Sequence, residues 1–380
     1  MKQDVKSKYP KVQVGCLFSS QPIYLVGMDE EELVSLCEEM GEPPYRGRQI
    51  FSWLYDHGVS EFSPMTNIPK SFRSKLGRTA RLETLELDRA TKSADETEKY
   101  LWRLRDGARV ESVRIPMRNV HGVKRWSLCI STQVGCAMGC AFCLTAKMGF
   151  VRQLTAGEIV GQFLAARSLL AEGERFHNVV FMGMGEPLDN FDATVKAVRI
   201  LTHQRANGVS PRRLTVSTVG VASRLKDFVS AVPGVGLAVS LHAADDETRG
   251  KLVPVNRKWN LRALLDECRA LPMDERRRIT FEYVMLRGVN DSKGDARKLS
   301  RLLEGLKCKV NLIPWNPFPG VAFERPDDEH IEEFRQTLLS AGVFASTRIS
   351  KGGDILAACG QLADARRLAR GSAEKKFNSI

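Results

Sequence analysis

Three cysteines, Cys136, Cys140 and Cys143, stand at the spacing C-x3-C-x2-C directly after an apolar run that is typical of a β-strand. A cubane iron–sulfur cluster held by three thiolates keeps one iron without a protein ligand, and a substrate needs such an open metal position in order to bind. Short cysteine runs are also typical of zinc knuckles, and Cys129 or His121 just upstream is available as a fourth zinc ligand. The spacing alone leaves both interpretations open.

Composition narrows the class of protein. The chain has 380 residues, of which 43% are hydrophobic, so it is long enough for one large domain with its own core and a smaller one. Its formal net charge of +12 favours a polyanion as partner, although a basic surface also serves solubility alone. The sequence contains no apolar run of the roughly 18 residues that cross a membrane, and no apolar signal core at its start. Nine cysteines, an odd number, do not indicate a secreted disulfide framework, so we expect a cytoplasmic protein that binds no membrane.

Periodicity divides the chain into five predicted segments. Residues 1–27 show little pattern and are predicted to form a loose leader, whereas residues 28–84 combine helical spacing with basic residues. We interpret this second segment as a small helical domain that binds nucleic acid, with an ordinary solvated face as the alternative. Residues 85–122 alternate as strands do on both sides of Asp106-Gly107, which predicts a β-extension built around a hairpin. Residues 123–340 are the predicted core, and residues 341–380 form a C-terminal segment.

The predicted core repeats a strand, a turn and a helix. Its strands are predicted at residues 126–131, 179–182, 214–218, 236–241, 279–285 and 310–314. Strands that alternate with helices indicate an α/β fold, in which helices cover parallel strands. An open doubly wound sheet and a six-stranded partial barrel both fit this pattern, so the two stay open.

Unusual residues follow the predicted strands at their carboxyl ends, where chemistry collects in α/β sheets and barrels. The three cysteines follow the first strand, and Gly183-Met184-Gly185-Glu186-Pro187 follows the second. Later strands are followed in the same way by Ser217, by Ser240-Leu241-His242 and by Trp315-Asn316-Pro317. We therefore expect these residues to lie on one face, a convergence that a zinc knuckle does not predict.

The turn after the second predicted strand suits an amino acid as ligand. Its glycines, Gly183 and Gly185, let the backbone approach a ligand closely, and Glu186 accepts hydrogen bonds from an amine. Beside an open iron, this carboxylate fits an amino acid that chelates the metal through its amine and carboxylate groups.

The cysteine spacing, with Phe142 before the third cysteine and a Gly-Glu-Pro turn after the second strand, resembles the radical S-adenosylmethionine superfamily. A closer resemblance, to the RlmN/Cfr family of RNA adenine methyltransferases, covers about residue 28 to the C-terminal region. The motifs that carry it are Gln133-Val134-Gly135-Cys136, Gly183-Met184-Gly185-Glu186-Pro187-Leu188, Ser240-Leu241-His242-Ala243, Ile313-Pro314-Trp315-Asn316-Pro317-Phe318 and Ala357-Ala358-Cys359-Gly360-Gln361-Leu362. The form Gly-Met-Gly-Glu-Pro-Leu resembles the RlmN branch, which methylates carbon 2 of adenine, rather than Cfr, which methylates carbon 8.

The resemblance implies a fold and a set of roles. The implied fold is a partial (β/α)6 barrel of the radical S-adenosylmethionine type, preceded by the helical domain and the β-extension. The implied ligands of one [4Fe-4S] cluster are Cys136, Cys140 and Cys143. The implied contacts of S-adenosylmethionine are Gly185, Glu186, Ser217, Ser240, Leu241, His242 and Asn316. The implied catalytic residues are Cys359 as methyl carrier, Cys129 as the cysteine that later forms a disulfide with it, and Glu111 as general base.

The implied reaction uses two molecules of S-adenosylmethionine per turnover. One methylates the Cys359 thiolate, and the other yields a radical that removes hydrogen from that methyl group, after which the methylene adds to carbon 2 of adenine. Release requires loss of a proton, which Glu111 accepts, and attack of Cys129 on the Cys359 sulfur. One departure from the family lies in residues 117–125, a segment that is longer than usual. The implied partners are 23S rRNA, tRNA and an electron donor such as flavodoxin.

Two alternatives accompany this interpretation. The first is Cfr-like methylation at carbon 8 of the same rRNA adenine, and the second is a zinc-stabilised RNA-binding protein without catalysis. RNA binding itself is predicted from basic side chains that are placed to hold phosphates. These side chains are Arg46, Arg48, Arg73, Lys75, Arg78, Arg366, Arg367, Arg370, Lys375 and Lys376.

Overall fold

The structure is a computed structural model that describes residues 22–83, 85–117, 124–206, 208–274 and 277–364. Its amino-terminal part contains the helices α1 (Glu30–Glu39), α2 (Tyr45–Ser52) and α3 (Lys70–Thr79). Helix α1 begins with a capping box, in which the Asp29 side chain accepts from the Glu32 N–H and the Glu32 carboxylate accepts from the Asp29 N–H. A π-helical turn, Trp53–His57, continues α2 and ends at Gly58.

The end of the predicted leader is ordered. Strand β1 (Ile23–Tyr24) pairs in parallel with β2 (Ala80–Arg81), and the next residue, Leu25, is fully buried. The prediction of a loose leader is therefore wrong for residues 22–27, while residues 1–21 lie outside the described part of the chain. A run of four apolar residues is too short to show a period, which is why the sequence pattern does not reveal this strand.

The other strands of the described residues build the core and the β-extension. They are β3 (Glu86–Lys92), β4 (Glu98–Arg103), β5 (Arg109–Pro116), β6 (Trp126–Cys129), β7 (Gln133–Gly135), β8 (Phe150–Gln153), β9 (Phe176–Phe181), β10 (Leu214–Thr218), β11 (Gly236–Ser240), β12 (Ile279–Met285), β13 (Cys308–Pro314) and β14 (Ala345–Thr347). One sheet of ten strands has the order β14-β13-β12-β11-β10-β9-β6-β5-β4-β3, and β7 pairs with β8 in a separate hairpin. Strands β6 and β9 to β14 are parallel, whereas β3, β4 and β5 join them in antiparallel pairing through β6.

The order of the parallel strands distinguishes the two predicted architectures. From β6 to β14 each new parallel strand is added on the same side of the previous one. A doubly wound sheet reverses this direction at a switch point, whereas a barrel adds its strands in one direction. Among the described residues β3 and β14 do not pair with each other, so the sheet stays open. The topology therefore favours the partial barrel.

Helices connect the parallel strands. They are α4 (Leu144–Lys147), α5 (Ala156–Ser168), α6 (Phe191–Leu201), α7 (Ala222–Ala231), α8 (Asp246–Leu252), α9 (Leu261–Arg269), α10 (Lys293–Leu302) and α11 (Asp328–Ser340). The six predicted core strands are confirmed as β6 and β9 to β13, and the sheet continues into the predicted C-terminal segment with β14. None of the described helices is both long enough and apolar enough to cross a lipid bilayer.

Candidate active site

The three clustered cysteines lie between β7 and the start of α4. The loop is fixed at one end where the Cys136 N–H donates to the Gly149 carbonyl, at 3.1 Å. It is fixed at the other end where the Leu144 N–H donates to the Gly360 carbonyl, at 2.7 Å. This second bond ties the cysteine loop to the residue that follows Cys359, so two distant parts of the sequence meet at one place.

The cysteines open into a cavity at the carboxyl ends of the parallel strands, which we call the main cavity. Its lining includes Cys136, Cys140, Cys143, Gly183, Gly185, Glu186, Ser217, Ser240, His242, Glu282, Arg348 and Cys359. The predicted convergence is therefore confirmed for the residues of this lining that the sequence placed at strand ends, whereas Glu282, Arg348 and Cys359 were not part of that prediction. Burial raises the pKa of Cys136 to about 12, so this side chain is a thiol until a metal displaces its proton.

The three thiols that line the main cavity are soft donors of the kind that an iron–sulfur cluster accepts. Among the described residues no three His, Cys, Asp or Glu side chains come close enough together to hold one metal ion. A cubane cluster gives each cysteine its own iron, so the thiols can line a cavity without converging on one point. The donor set of Cys136, Cys140 and Cys143 therefore fits an iron–sulfur cluster.

The two glycines of the turn after β9 serve a close approach of the chain to itself. A Cβ atom on Gly185 would lie 2.5 Å from the Gln133 Cβ, and one on Gly183 would lie 2.7 Å from the Ile130 carbonyl oxygen. Gly185 also has a φ of 101°, a backbone conformation that residues with a side chain rarely adopt. The turn thus packs directly on the residues that precede the cysteine loop, and this contact places Glu186 beside the cysteines.

Glu186 is a buried carboxylate in the main cavity. It accepts hydrogen bonds from the Val219 N–H at 2.7 Å and from the Leu188 N–H at 3.0 Å. Burial raises its pKa to about 7, although these N–H donors oppose the shift. Each carboxylate oxygen can accept a further hydrogen bond, so the group remains able to bind an amine. Its charge therefore changes close to neutral pH.

His242 occupies a conformation that is rare outside glycine. Its φ is 62°, and its Nδ1 accepts a hydrogen bond from the Val284 N–H at 3.0 Å. Burial, together with the nearby Arg249 guanidinium, lowers its pKa to about 3, so the ring is neutral. With Nδ1 as acceptor, Nε2 carries the proton and is a hydrogen-bond donor. His242 belongs to the lining of the main cavity, so its Nε2–H is available to a ligand there.

Two of the predicted cofactor contacts do not belong to the lining of the main cavity. Leu241 is fully buried, and its N–H donates to the Glu282 carbonyl at 2.9 Å. The Asn316 side chain donates through Nδ2 to the Cys359 carbonyl at 3.1 Å. The structure thus places Asn316 where it holds the segment that carries Cys359.

A second cavity, which we call the side cavity, adjoins the main cavity. Its lining consists of Ile115, Pro116, Cys129, Met182, Arg348, Ile349, Ser350, Lys351, Ala357, Ala358, Cys359 and Leu362. Cys359 and Arg348 line both cavities, so they stand at the junction between them. Of the two cavities, Cys129 lines only the side cavity. Burial raises the pKa of Cys129 to about 12. Both cysteines that the sequence singled out beyond the cluster motif therefore meet in one cavity.

Glu111 lies behind the Cys359 segment and lines neither cavity. Its carboxylate pairs with the Lys99 ammonium at 3.1 Å and accepts a hydrogen bond from the Ala363 N–H at 2.8 Å. Burial raises its pKa, and the charge of Lys99 opposes this shift. The structure thus brings the Glu111 carboxylate into contact with the backbone of the segment that carries Cys359.

The β-extension also holds the beginning of the Cys359 segment. The Gly352 N–H donates to the Asp95 carboxylate at 2.9 Å, and the Lys99 ammonium donates to the Leu356 carbonyl at 3.1 Å. Asp95 belongs to the turn between β3 and β4. The β-extension therefore anchors the segment that presents Cys359, through the turn between β3 and β4 and through Lys99 on β4.

Curated proteins resemble the chain over most of its length. A protein of Rhodospirillum rubrum is 47% identical over 349 residues, which are 90% of this chain and 80% of that protein. One of Desulfosudis oleivorans is 48% identical over 321 residues, 84% of this chain and 85% of that protein. Both are named dual-specificity RNA methyltransferase RlmN. The chain belongs to the RlmN family.

Family descriptions and a solved structure agree with this membership. Residues 23–82 match the N-terminal domain of ribosomal RNA large subunit methyltransferases, and residues 130–299 match the radical S-adenosylmethionine superfamily. A crystal structure of a radical SAM methyltransferase from Sphaerobacter thermophilus superposes with a TM-score of 0.83 at 43% identity, over 90% of this chain and 99% of that chain. The predicted α/β fold with a partial barrel is confirmed. As a radical S-adenosylmethionine methyltransferase, the RlmN-family chain uses an iron–sulfur cluster and S-adenosylmethionine.

Arg348 is a residue of this RlmN-family site that the sequence analysis missed. It directly follows β14, which pairs in parallel with β13, so the rule that chemistry collects at carboxyl ends applies to it as well. Its guanidinium contacts the Met182 sulfur at 3.8 Å at the junction of the two cavities. Counting β14 as a seventh parallel strand would have identified it.

Several basic residues that the sequence assigned to RNA phosphates contact the helical domain itself in the structure. Arg46 donates to the Asn67 carbonyl at 2.6 Å, Lys75 donates to the Met40 carbonyl at 2.8 Å, and Arg73 donates to the Ser63 carbonyl. Arg48 lies 3.7 Å from Glu30. These side chains contact backbone carbonyls and a carboxylate. A sequence pattern does not show whether a basic side chain contacts its own domain or an RNA phosphate. The tail residues 366–376 and His121 lie outside the described part of the chain.

We expect the binding of S-adenosylmethionine by this RlmN-family protein to weaken as the pH falls below about 7, where Glu186 takes up a proton. If Glu186 contacts the ammonium group of S-adenosylmethionine as the sequence predicts, protonation removes the negative charge that attracts it, and affinity should fall by up to about tenfold per pH unit. Equilibrium dialysis of the cluster-loaded protein measures this slope. The E186Q variant should bind more weakly and without the slope, whereas E282Q, which alters another carboxylate of the main cavity, should keep it. A slope that persists in E186Q would contradict the assignment.

Proposed function

We propose that the protein methylates carbon 2 of an adenine in 23S rRNA and in tRNA, with Cys359 as the methyl carrier. The observation that carries the proposal is the position of Cys359 at the junction of the main cavity and the side cavity. A methyl carrier must contact the methyl donor on one side and the acceptor base on the other. The names of the relatives, dual-specificity RNA methyltransferase RlmN, support RNA as the acceptor.

In this proposal the main cavity holds both cofactors. Cys136, Cys140 and Cys143 hold one [4Fe-4S] cluster through three thiolates, and the Glu186 carboxylate accepts hydrogen bonds from the amine of S-adenosylmethionine. The neutral His242 ring offers its Nε2–H to the same ligand. When bound, the two groups together supply a one-electron reduction that generates a radical able to remove hydrogen from a methyl group. The protein residues position the ligands and exclude water.

The side cavity accommodates the target adenine and the chemistry of release. After the methyl carbon on Cys359 has become bonded to carbon 2, the Cys129 thiolate attacks the Cys359 sulfur. The sulfur–carbon bond breaks, the electron pair stays on the former methyl carbon, which takes up a proton, and a Cys129–Cys359 disulfide closes. Because burial raises the pKa of Cys129 to about 12, the thiol must be deprotonated before its sulfur attacks, and the proton that it gives up balances the one that the methyl carbon takes up.

Glu111 is the proposed general base for the proton at carbon 2. Its carboxylate is held by Lys99 and by the Ala363 N–H, behind the segment that carries Cys359. The base therefore becomes accessible when this segment moves away, and the same movement carries the Cys359 sulfur between methyl donor and adenine. Burial, which raises the pKa of Glu111, favours uptake of a proton.

The remaining proposals concern partners and location. Residues 28–84 form the RNA-binding domain, which is followed by the β-extension (85–122), the core (123–340) and the carrier segment (341–380). An electron donor such as flavodoxin reduces the cluster in the cytoplasm. The match of residues 23–82 to the N-terminal domain of rRNA methyltransferases supports the first of these proposals.

Nucleoside analysis tests the proposed function. The anaerobically reconstituted protein is incubated with a reductant, S-adenosylmethionine and 23S rRNA fragments or tRNA, and the digested RNA is examined by mass spectrometry against synthetic standards. We expect 2-methyladenosine from both RNA classes. Formation of 8-methyladenosine would replace the carbon 2 assignment by the Cfr-like alternative, and a protein that contains zinc and transfers no methyl group would favour the non-catalytic RNA-binding alternative.

A further inference from the structure

A fully buried arginine on α8, Arg249, lies behind the strand ends that face the main cavity. Its Nε donates to the Leu241 carbonyl at 3.0 Å, and one terminal nitrogen donates to the Val219 carbonyl at 2.8 Å and to the Ser240 carbonyl at 3.3 Å. The other terminal nitrogen donates to the Asn256 side-chain oxygen at 2.8 Å. All these acceptors are neutral oxygens, so the charge is solvated by backbone and amide dipoles.

Such a buried cation is costly, which makes its position informative. Burial lowers the pKa of Arg249 to about 10, yet the group stays charged at neutral pH. Taking a charge out of water is unfavourable unless polar partners replace the water, and an apolar side chain avoids that cost. The carbonyls that it binds explain why an arginine stands here. They lie just beyond the last pair between β10 and β11, Thr218 with Val239, where the ladder between these two strands no longer provides N–H donors.

The three carbonyls belong to the two strand ends that carry proposed cofactor contacts. Val219 follows the end of β10, where Ser217 lines the main cavity, and Ser240 ends β11 beside His242. One planar guanidinium bridges both strand ends, and its rigid fork fixes their separation and orientation.

Helix α8 also contacts the cysteine loop. The Ala141 N–H, between two of the cysteines, donates to the Leu252 carbonyl at the end of α8, at 2.9 Å. Asn256, which holds the guanidinium, is itself fixed by the Asp246 carboxylate at 2.9 Å. The helix therefore joins the loop that holds the cysteines to the strand ends that hold the rest of the site.

We propose that Arg249 is a positioning residue for S-adenosylmethionine, which fixes the ends of β10 and β11 relative to the cysteine loop so that the ligand can contact both at once. The inference rests on the proposed assignment of the main cavity to the cluster and S-adenosylmethionine. It adds a residue that touches neither ligand but determines the distance between the groups that do.

The test compares variants of the reconstituted full-length protein. R249M removes the hydrogen bonds, R249K keeps a charge with a different donor geometry, and N256L removes one anchor of the guanidinium while retaining its charge. R262M on α9 is the control, because its side chain is 90% exposed. Iron and sulfide content, the dissociation constants of S-adenosylmethionine and of tRNA, and the thermal unfolding midpoint are measured for each variant.

We expect R249M to retain iron and sulfide and to bind S-adenosylmethionine on the order of tenfold more weakly, with tRNA affinity within about twofold of the unmodified protein. R249K and N256L should lie between R249M and the unmodified protein, and R262M should match the unmodified protein. The KM for S-adenosylmethionine should rise more than kcat falls, since saturation restores occupancy.

Two results would overturn the inference. One is unchanged affinity for S-adenosylmethionine in R249M or, if that variant does not fold, in N256L. The other is an equal loss of affinity for S-adenosylmethionine and tRNA, which indicates general damage to the fold rather than positioning. Failure of the unmodified protein to bind S-adenosylmethionine would instead contradict the proposed function, so the two failures are distinguishable.

Discussion

Replacing Cys359 by alanine is expected to abolish methylation of RNA while the iron–sulfur cluster stays in place. Cys359 lies at the junction of the two cavities, and no other cysteine of the described residues lines both. The three cysteines that we propose as cluster ligands do not depend on its sulfur, because backbone hydrogen bonds position their loop. Methyl transfer to rRNA fragments and the iron content of the same preparation measure the two effects.

The control for this variant is C308A. Cys308 is a partly buried cysteine at the start of β13, at the opposite end of that strand from the cavities. It should retain both the cluster and full activity. Retained methylation by C359A would contradict a methyl carrier at this position, and loss of iron from C359A would show that its sulfur serves the cluster instead.

Replacing Cys129 by alanine is expected to trap the protein on its RNA. Without the Cys129 thiolate, nothing in the side cavity attacks the Cys359 sulfur, so the sulfur–carbon bond to adenine persists. Turnover should stop after one event, and a covalent protein–RNA species should accumulate up to one RNA per protein. Denaturing gel electrophoresis with labelled tRNA, followed by nuclease digestion and mass spectrometry, measures this species and its attachment site.

The double variant C129A/C359A separates this outcome from ordinary tight binding. It should form no covalent species, because the carrier sulfur is absent. C268A is a further control, since Cys268 is buried in α9, away from both cavities. If C129A turned over normally and left no covalent species, release would not depend on the Cys129–Cys359 pair.

The parts of the fold that the sequence predicted correctly depend on local patterns. The strands of the core have apolar runs bounded by turns, and the glycine turn follows β9 as predicted. A short strand that the sequence did not predict, β7, stands between β6 and the cysteines. The carboxyl-end rule then brings these motifs together without any knowledge of side-chain contacts. The order of the strands in the sheet could be determined only from the structure. Local sequence patterns do not show whether successive strands are added on one side of the sheet or on both.

The missed features depend on contacts between residues far apart in the sequence. Arg249 lies on a short helix rich in charged residues, which local patterns place at the surface, yet it is fully buried against strand ends. Glu111 meets Lys99 only through the register of β4 and β5, and it meets Ala363 only through the fold of the whole chain. Such pairings are determined by tertiary packing, so neither composition nor spacing reveals them.

The central claim is that the methyl group reaches adenine by way of Cys359, and isotopic labelling tests it most directly. The reconstituted protein is first incubated with S-adenosylmethionine that carries a deuterated methyl group. Unlabelled S-adenosylmethionine and RNA are then added for a single turnover. The peptides of the protein are sequenced by mass spectrometry before and after this turnover. We expect the label on Cys359 before RNA is added and on carbon 2 of adenine afterwards. Label on another residue, or label that reaches the RNA without having been on Cys359, would contradict the account.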